Sequence, residues 1–216
     1  MAHLFAVNSK NSKQIERMFT LYINKAVRMK KVFIDLGAND GCSVELFLNN
    51  IDHSNEFEIH SFECNPHLIE VYKKKFPNFK IHNKGASTYD GKSKFYLGNK
   101  LASSLRTDKT TGNINYDKPI IIDVVDISKF IIDNFSQNDY IIVKMDIEGA
   151  EYDILPKMLN KGLFDGYIDE LYGEWHYNKL LNVTREFHDE LISNLSDKGF
   201  RMKLWCAETG TIDKNT

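Results

Sequence analysis

Apolar positions come in short runs, and between them lie stretches with helical spacing. Residues 32–36 form the first run, which ends at Asp35 and a glycine-rich turn and predicts a buried strand, with a helix over 42–50. Residues 57–62 alternate into a second strand. Asn65-Pro66 then opens a helix ending near 75, since proline is tolerated in a first turn, and residues 79–82 read as a third strand. A strand is expected over 94–97, another over 120–125, and helical spacing over 127–135. Residues 140–145 are apolar apart from Lys144, and a helix follows from about 150 that Pro156 should kink or divide. A strand over 167–175, a helix capped by Asn182 and stopped by Gly199, and a strand over 200–206 complete the pattern.

Strands alternating with helices predict an α/β fold: a mainly parallel, doubly wound sheet with helices on both faces. No repeat or linker divides residues 1–216, so a single domain is expected. Ile15, Met18, Phe19, Tyr22, Ile23, Ala26 and Val27 lie at i, i+3, i+4, i+7 spacing, which makes 1–31 an amphipathic cap helix despite its seven Lys/Arg against the single acid Glu16. Residues 98–118 are rich in Gly, Asn, Ser, Thr and Lys with little periodicity. They are expected to form a mobile lid over a substrate, with Lys100, Arg106 and Lys109 available to hold an acidic or phosphorylated one.

The 216 residues carry a net charge of -2, which gives no global attraction to nucleic acid or to an anionic membrane. No apolar run is long enough to span a bilayer. Cys42, Cys64 and Cys206 form neither a disulfide framework nor a zinc signature, and a reducing, cytoplasmic setting is expected.

In open parallel sheets ligands bind at the carboxyl ends of strands, and three motifs fall there. Asp35-Leu36-Gly37-Ala38-Asn39-Asp40-Gly41 combines glycines that let a ligand approach the backbone with a following helix N-terminus. Asp35 is placed to hold an ammonium group. Ser61-Phe62-Glu63-Cys64-Asn65-Pro66 sets an acid at the next strand end, where a carboxylate accepts from both hydroxyls of a ribose. This order fits dinucleotide and S-adenosylmethionine proteins alike. Asn39 stands where a dinucleotide fingerprint requires its second glycine, which favours S-adenosylmethionine over an NAD(P)-binding oxidoreductase. The third motif, Lys144-Met145-Asp146-Ile147-Glu148-Gly149-Ala150-Glu151, puts four charged groups just past a buried strand. That is expensive unless they are paired or used. Glu151 reads as a helix-start acid.

Taken together, the motifs resemble the FkbM family of S-adenosylmethionine-dependent methyltransferases. Residues 35–41 match its first motif, Phe62-Glu63 with Asn65-Pro66 its second, residues 144–151 its signature, and Glu174-Trp175-His176 the acid-x-His after the following strand. The similarity runs over about 32–205. It implies a Rossmann-like class I methyltransferase fold and O-methylation of a sugar or other small metabolite. By this match Asp35, Gly37, Asn39, Gly41 and Glu63 bind S-adenosylmethionine, with Ala38 and Cys64 inside the same motifs. Gly85 and Ala86 lie along the adenine, although many methyltransferases carry an acid where Gly85 stands.

Asp146 is expected beside the transferring methyl as both cofactor and catalytic residue, with Glu148, Glu174 and His176 converging on it. His176 is expected to act as a metal-free general base, because no ligand spacing is diagnostic, although Asp146, Glu174 and His176 are also a set suited to a divalent cation. The expected partner is a small-molecule or glycan acceptor. An RNA ribose 2'-O-methyltransferase shares the fold and reaction, but needs a basic groove and often a Lys-Asp-Lys-Glu tetrad, of which only Lys144 and Asp146 are evident.

Overall fold

The computed structural model describes residues 30–99, 102–206 and 209–213. The cap helix expected before residue 30, and Lys100, lie outside them. In chain order the strands and α-helices are β1 Lys31–Leu36, α1 Cys42–Asn50, β2 Phe57–Glu63, α2 Pro66–Lys75, β3 Lys80–Asn83, β4 Gly85–Ser87, β5 Gly91–Phe95, β6 Ile120–Asp126, α3 Ile127–Asn134, β7 Tyr140–Met145, α4 Glu151–Asn160, β8 Glu170–Gly173, α5 Arg185–Asp197, β9 Lys203–Cys206 and β10 Thr211–Ile212.

Alternation along the central strands creates two cores. Val32, Ile34 and Leu36 of β1, with Ile141, Val143 and Met145 of β7, pack against Ile127, Ile131, Leu155 and Leu191 from α3, α4 and α5. The intervening Phe33 and Ile142 point the other way, toward Val44, Phe47 and Tyr72 of α1 and α2, and toward Trp205. Phe33 stacks on Phe47 with ring centroids 3.9 Å apart. Each such side chain contributes about 1.5–3 kcal/mol by leaving water, which is why a two-sided sheet demands unbroken apolar strands.

The main sheet has the order β10-β9-β8-β7-β1-β2-β3, parallel except for the β10–β9 pair. From β1 the chain winds to one edge through β2 and β3, and from β7 to the other through β8 and β9. The reversal between β1 and β7 opens a crevice at their carboxyl ends. A second sheet, β4-β6-β5, is built on β6, parallel to β4 and antiparallel to β5.

Local chemistry sets the helix starts. Asn65 accepts from His67 N–H with Pro66 in the first turn of α2, and Asp126 accepts from Lys129 N–H at α3. The cap of α5 is Thr184 rather than Asn182, whose N–H is drawn instead to the Asp108 carboxylate at 3.0 Å. Pro156 does not divide α4, which stays helical through it while forgoing the bond an N–H would make to Tyr152. The strand expected over 94–97 is shifted to Gly91–Phe95, and that over 167–175 shrinks to Glu170–Gly173. No helix among the described residues is long and apolar enough to cross a membrane.

Candidate functional site

The glycine turn after β1 is dictated by crowding. Gly37 has φ +81, and a Cβ there would stand 2.0 Å from the Asp146 carbonyl oxygen. Gly41 has φ +92, with the Phe76 ring 2.6 Å from where its Cβ would be. Asn39 occupies the left-handed region at φ 54, which Asn tolerates better than most residues. This explains why the missing second glycine does not disturb the turn.

Glu63 locks this turn to the end of β2. Its Oε2 accepts from Asn39 N–H at 2.9 Å, and its Oε1 from Cys64 N–H at 2.8 Å and Asn65 N–H at 2.7 Å. Burial pushes its carboxyl above the ordinary range, and the three backbone donors only partly offset that.

Around Glu63 lies a cleft also lined by Gly37, Asn39, Cys64, Gly85 and Ala86, all expected there, and by Phe62, Asn65, Leu68, Lys84, Phe95, Ser103, Leu105 and Ile147. Leu68, Phe95 and Leu105 had no signal in the motifs. They arrive from the first turn of α2, the end of β5 and the segment after it. Ala38, Gly41, Asp35 and Asp146 do not line the cleft. Ala38 is buried in the core, Gly41 shapes the turn, and Asp35 is fully buried beneath it.

Asp35 therefore cannot present itself to a ligand ammonium. It pairs with Lys144 Nζ at 3.1 Å and accepts from Ser43 Oγ at 2.6 Å, while Lys144 also donates to Gly37 O at 2.9 Å. Burial opposes the charge on Lys144, but Asp35 and then Asp146 outweigh it, and its pKa lies above the ordinary lysine value.

The loops after β7 and β8 bring the expected acids and imidazole together. Nε2 of His176 stands 3.7 Å from Asp146 Oδ1, 3.7 Å from Glu148 Oε2 and 4.0 Å from Glu174 Oε2. Gly173 precedes this group at φ +159, and a Cβ there would meet the Met145 carbonyl at 2.0 Å. The structure adds Glu151, which sequence reasoning left as a helix-start acid. Fully buried, it holds His176 Nδ1 at 2.7 Å and accepts from Gly149 N–H at 2.9 Å. Its place in the first turn of α4, three residues after Glu148, is the signal that would have linked it to the cluster. Burial opposes a charge on His176, but the hydrogen bond and charge of Glu151, with Glu148 and Asp146, raise its pKa above the ordinary histidine value. Glu174 is also raised, first by burial and then by the charge of Asp146.

The segment expected to be a free lid is tied down. Ser104 pairs with Tyr96 and sends its hydroxyl to Glu148 O at 2.8 Å. Lys109 pairs with Leu180, and Thr110 N–H donates to Lys179 O at 2.8 Å. Arg106 and Lys109, the two expected substrate cations among the described residues, are spent internally as well. Arg106 forks onto Asp108 at 2.8 and 2.9 Å and reaches Asp153 at 2.8 Å. Lys109, 4% exposed, pairs with Glu148 at 2.7 Å and donates to Ala102 O at 2.9 Å. Arg106 and Lys109 thus pair with carboxylates of the chain itself, and neither lines the cleft around Glu63.

No curated protein and no solved structure matches the chain. The methyltransferase FkbM domain matches residues 35–202, from the buried Asp35 beneath the glycine turn to the start of the last parallel strand. That span takes in both the cleft and the acid–imidazole cluster, and the chain belongs to the FkbM methyltransferase family.

Proposed function

We propose that this methyltransferase moves a methyl group from S-adenosylmethionine to a hydroxyl of a sugar or other small metabolite, on a Rossmann-like class I fold. The observation that carries the reading is the loop after β7. Ile147 lines the cleft, while Asp146 and Glu148 on either side of it face His176. One turn of chain therefore joins the cleft around Glu63 to a cluster able to take up a proton.

Bound S-adenosylmethionine supplies an electrophilic methyl on a sulfonium, so the chain has mainly to align donor and acceptor and remove one proton. Glu63 fits the ribose: its carboxylate, already oriented by three N–H groups, keeps about one of its roughly four acceptor sites for a ribose hydroxyl. Gly85 and Ala86 offer backbone to the adenine edge, and Leu68, Phe95 and Leu105 offer apolar surface to its faces. The acids at the end of β7 favour the sulfonium charge. Glu151 fixes the imidazole so that its Nε2 faces the acceptor side.

Lys144 is committed to Asp35 and Gly37, so the lysine on which a Lys-Asp-Lys-Glu ribose tetrad would depend is not free. The cysteines Cys42, Cys64 and Cys206 are free thiols, in keeping with a cytoplasmic setting. Calorimetry with S-adenosylmethionine, with NAD as control, and label transfer to sugars, small hydroxylated metabolites and RNA test the reading. Saturable S-adenosylmethionine binding and transfer to a small hydroxylated acceptor are expected. Binding of NAD alone, or transfer to RNA alone, would overturn it.

A further inference from the structure

We propose that Asp146, Glu174 and His176 bind one divalent cation, and that the acceptor hydroxyl is activated on it. This replaces the metal-free base expected from the sequence. A carboxylate oxygen from each acid and Nε2 of His176 all lie within 4.8 Å of one another. Nε2 is 3.7 Å from Asp146 and 4.0 Å from Glu174. Those gaps exceed the ~2.7–3.2 Å of a hydrogen bond. Three ligand atoms on one cation with bonds of ~2.0–2.2 Å stand roughly 3.0–3.6 Å apart, so the two loops would draw in by roughly an ångström to close round an ion.

A second observation points the same way. His176 is 1% exposed, and its Nε2 has no hydrogen-bond partner among the described residues although it is aimed into the cluster. Its other nitrogen is fixed by Glu151, a buried carboxylate that favours the tautomer with Nδ1–H donating and the Nε2 lone pair facing outward. A carboxylate behind a histidine is the support that metal-binding imidazoles commonly have. Glu148 is the third acid nearby, but Lys109 neutralises it at 2.7 Å. With Glu151 engaged by Nδ1 of His176, the carboxylates left to face an ion are Asp146 and Glu174, which match a divalent charge. Two hard oxygens with one imidazole suit Mn²⁺ or Mg²⁺ rather than a thiophilic ion.

The role of the cation rests on the methyl-transfer reading, whereas the site itself does not. An acceptor oxygen on the cation loses its proton to water. Its freed electron pair forms the O–CH3 bond as the S–CH3 bond breaks, and that bond's electrons stay on sulfur as a neutral thioether. The cation's charge is unchanged.

The experiment titrates EDTA-stripped full-length protein with MnCl2, reading free Mn²⁺ by electron paramagnetic resonance, with and without S-adenosylmethionine. One ion per chain is expected. Glu174→Gln and Asp146→Asn should weaken binding at least tenfold, and Glu151→Gln by about 10–100-fold through loss of histidine support. Melting in EDTA identifies any variant that fails to fold, and Glu174, 32% exposed on its side chain, is the substitution the fold tolerates best. No saturable binding to the unaltered protein, or equal binding by it and a folded Glu174→Gln, would overturn the site. Calorimetry with S-adenosylmethionine in EDTA keeps the two readings apart. Cofactor binding without Mn²⁺ binding defeats the cation alone, and Mn²⁺ binding without cofactor binding defeats the methyltransferase assignment alone.

Discussion

Glu63→Ala should damage the fold and the cofactor site together, by amounts that can be separated. The side chain is 8% exposed and satisfies three backbone N–H groups that belong to two different turns. An orphaned buried donor costs about 1–3 kcal/mol. Two of these donors share one oxygen, and the cleft lets water approach, so the lower end applies and the total is about 2–4 kcal/mol. For a chain of this size, with about 2–4 °C per kcal/mol, the melting temperature should fall by about 4–16 °C. The ribose contacts add a separate loss of about 1.5–3 kcal/mol, or about 10–150-fold in S-adenosylmethionine affinity. Glu63→Gln keeps one acceptor oxygen but sets an amide N–H2 against a backbone donor, so it should fall between. Urea unfolding and calorimetry, run below the lowered melting temperature, give the two numbers independently. A melting temperature within about 1 °C of the original would refute the bracing role. Unchanged affinity in the folded variant would remove Glu63 from the ribose site.

The buried pair beneath the turn should behave as a unit. Lys144→Met strands Asp35 and should cost about 3–5 kcal/mol in urea unfolding, whereas adding Asp35→Asn should recover much of it, and strictly additive losses would show that the two do not interact. At the other edge of β2, burial and then the charges of His60, Lys80 and Lys84 lower the His82 imidazole to about 4. Its Nε2 faces His60 Nδ1 at 3.1 Å, the far side of His60 meets Glu58, and the ring lies against Phe62 and Phe130. The unfolded chain takes this proton near ~6.5 but the folded chain only near 4, so stability is level above about 6.5 and falls as pH drops toward 4. The loss should be about 1–3 kcal/mol, and His82→Phe should reduce the slope; an identical slope would acquit the residue.

The central strands were legible from periodicity, whereas Asp146, Glu174 and His176 were brought together by the family resemblance and by their places at strand ends. β4 was not, since Gly85-Ala86-Ser87 has no apolar pattern and pairs only because β6 passes beside it. Glu151 was misjudged for a physical reason: an acid in a first helical turn satisfies the helix terminus whether or not it also grips a histidine. Asp35 shows the converse. Its place in the motif was right, yet its partner Lys144 comes from a strand 109 residues away in the chain, and a buried pair across strands leaves no spacing to read. The irregular segment looked free because its ties to Lys179, Leu180 and Glu148 are long-range contacts to main-chain groups, which composition does not encode.

The contact of Gly37 with the Asp146 carbonyl has a consequence for redesign. With Asp146 N–H also bonded to Leu36 O at 3.1 Å, the donor turn and the acid loop are joined main chain to main chain, so their spacing is set by backbone rather than by side chains packed between them. The wall that Ser103 and Leu105 give the cleft belongs to a segment held instead by bonds to Glu148, Lys179 and Leu180. A library directed at that wall can vary acceptor shape while the distance between donor and acid stays fixed, whereas variation in the Gly37 turn would lose both at once.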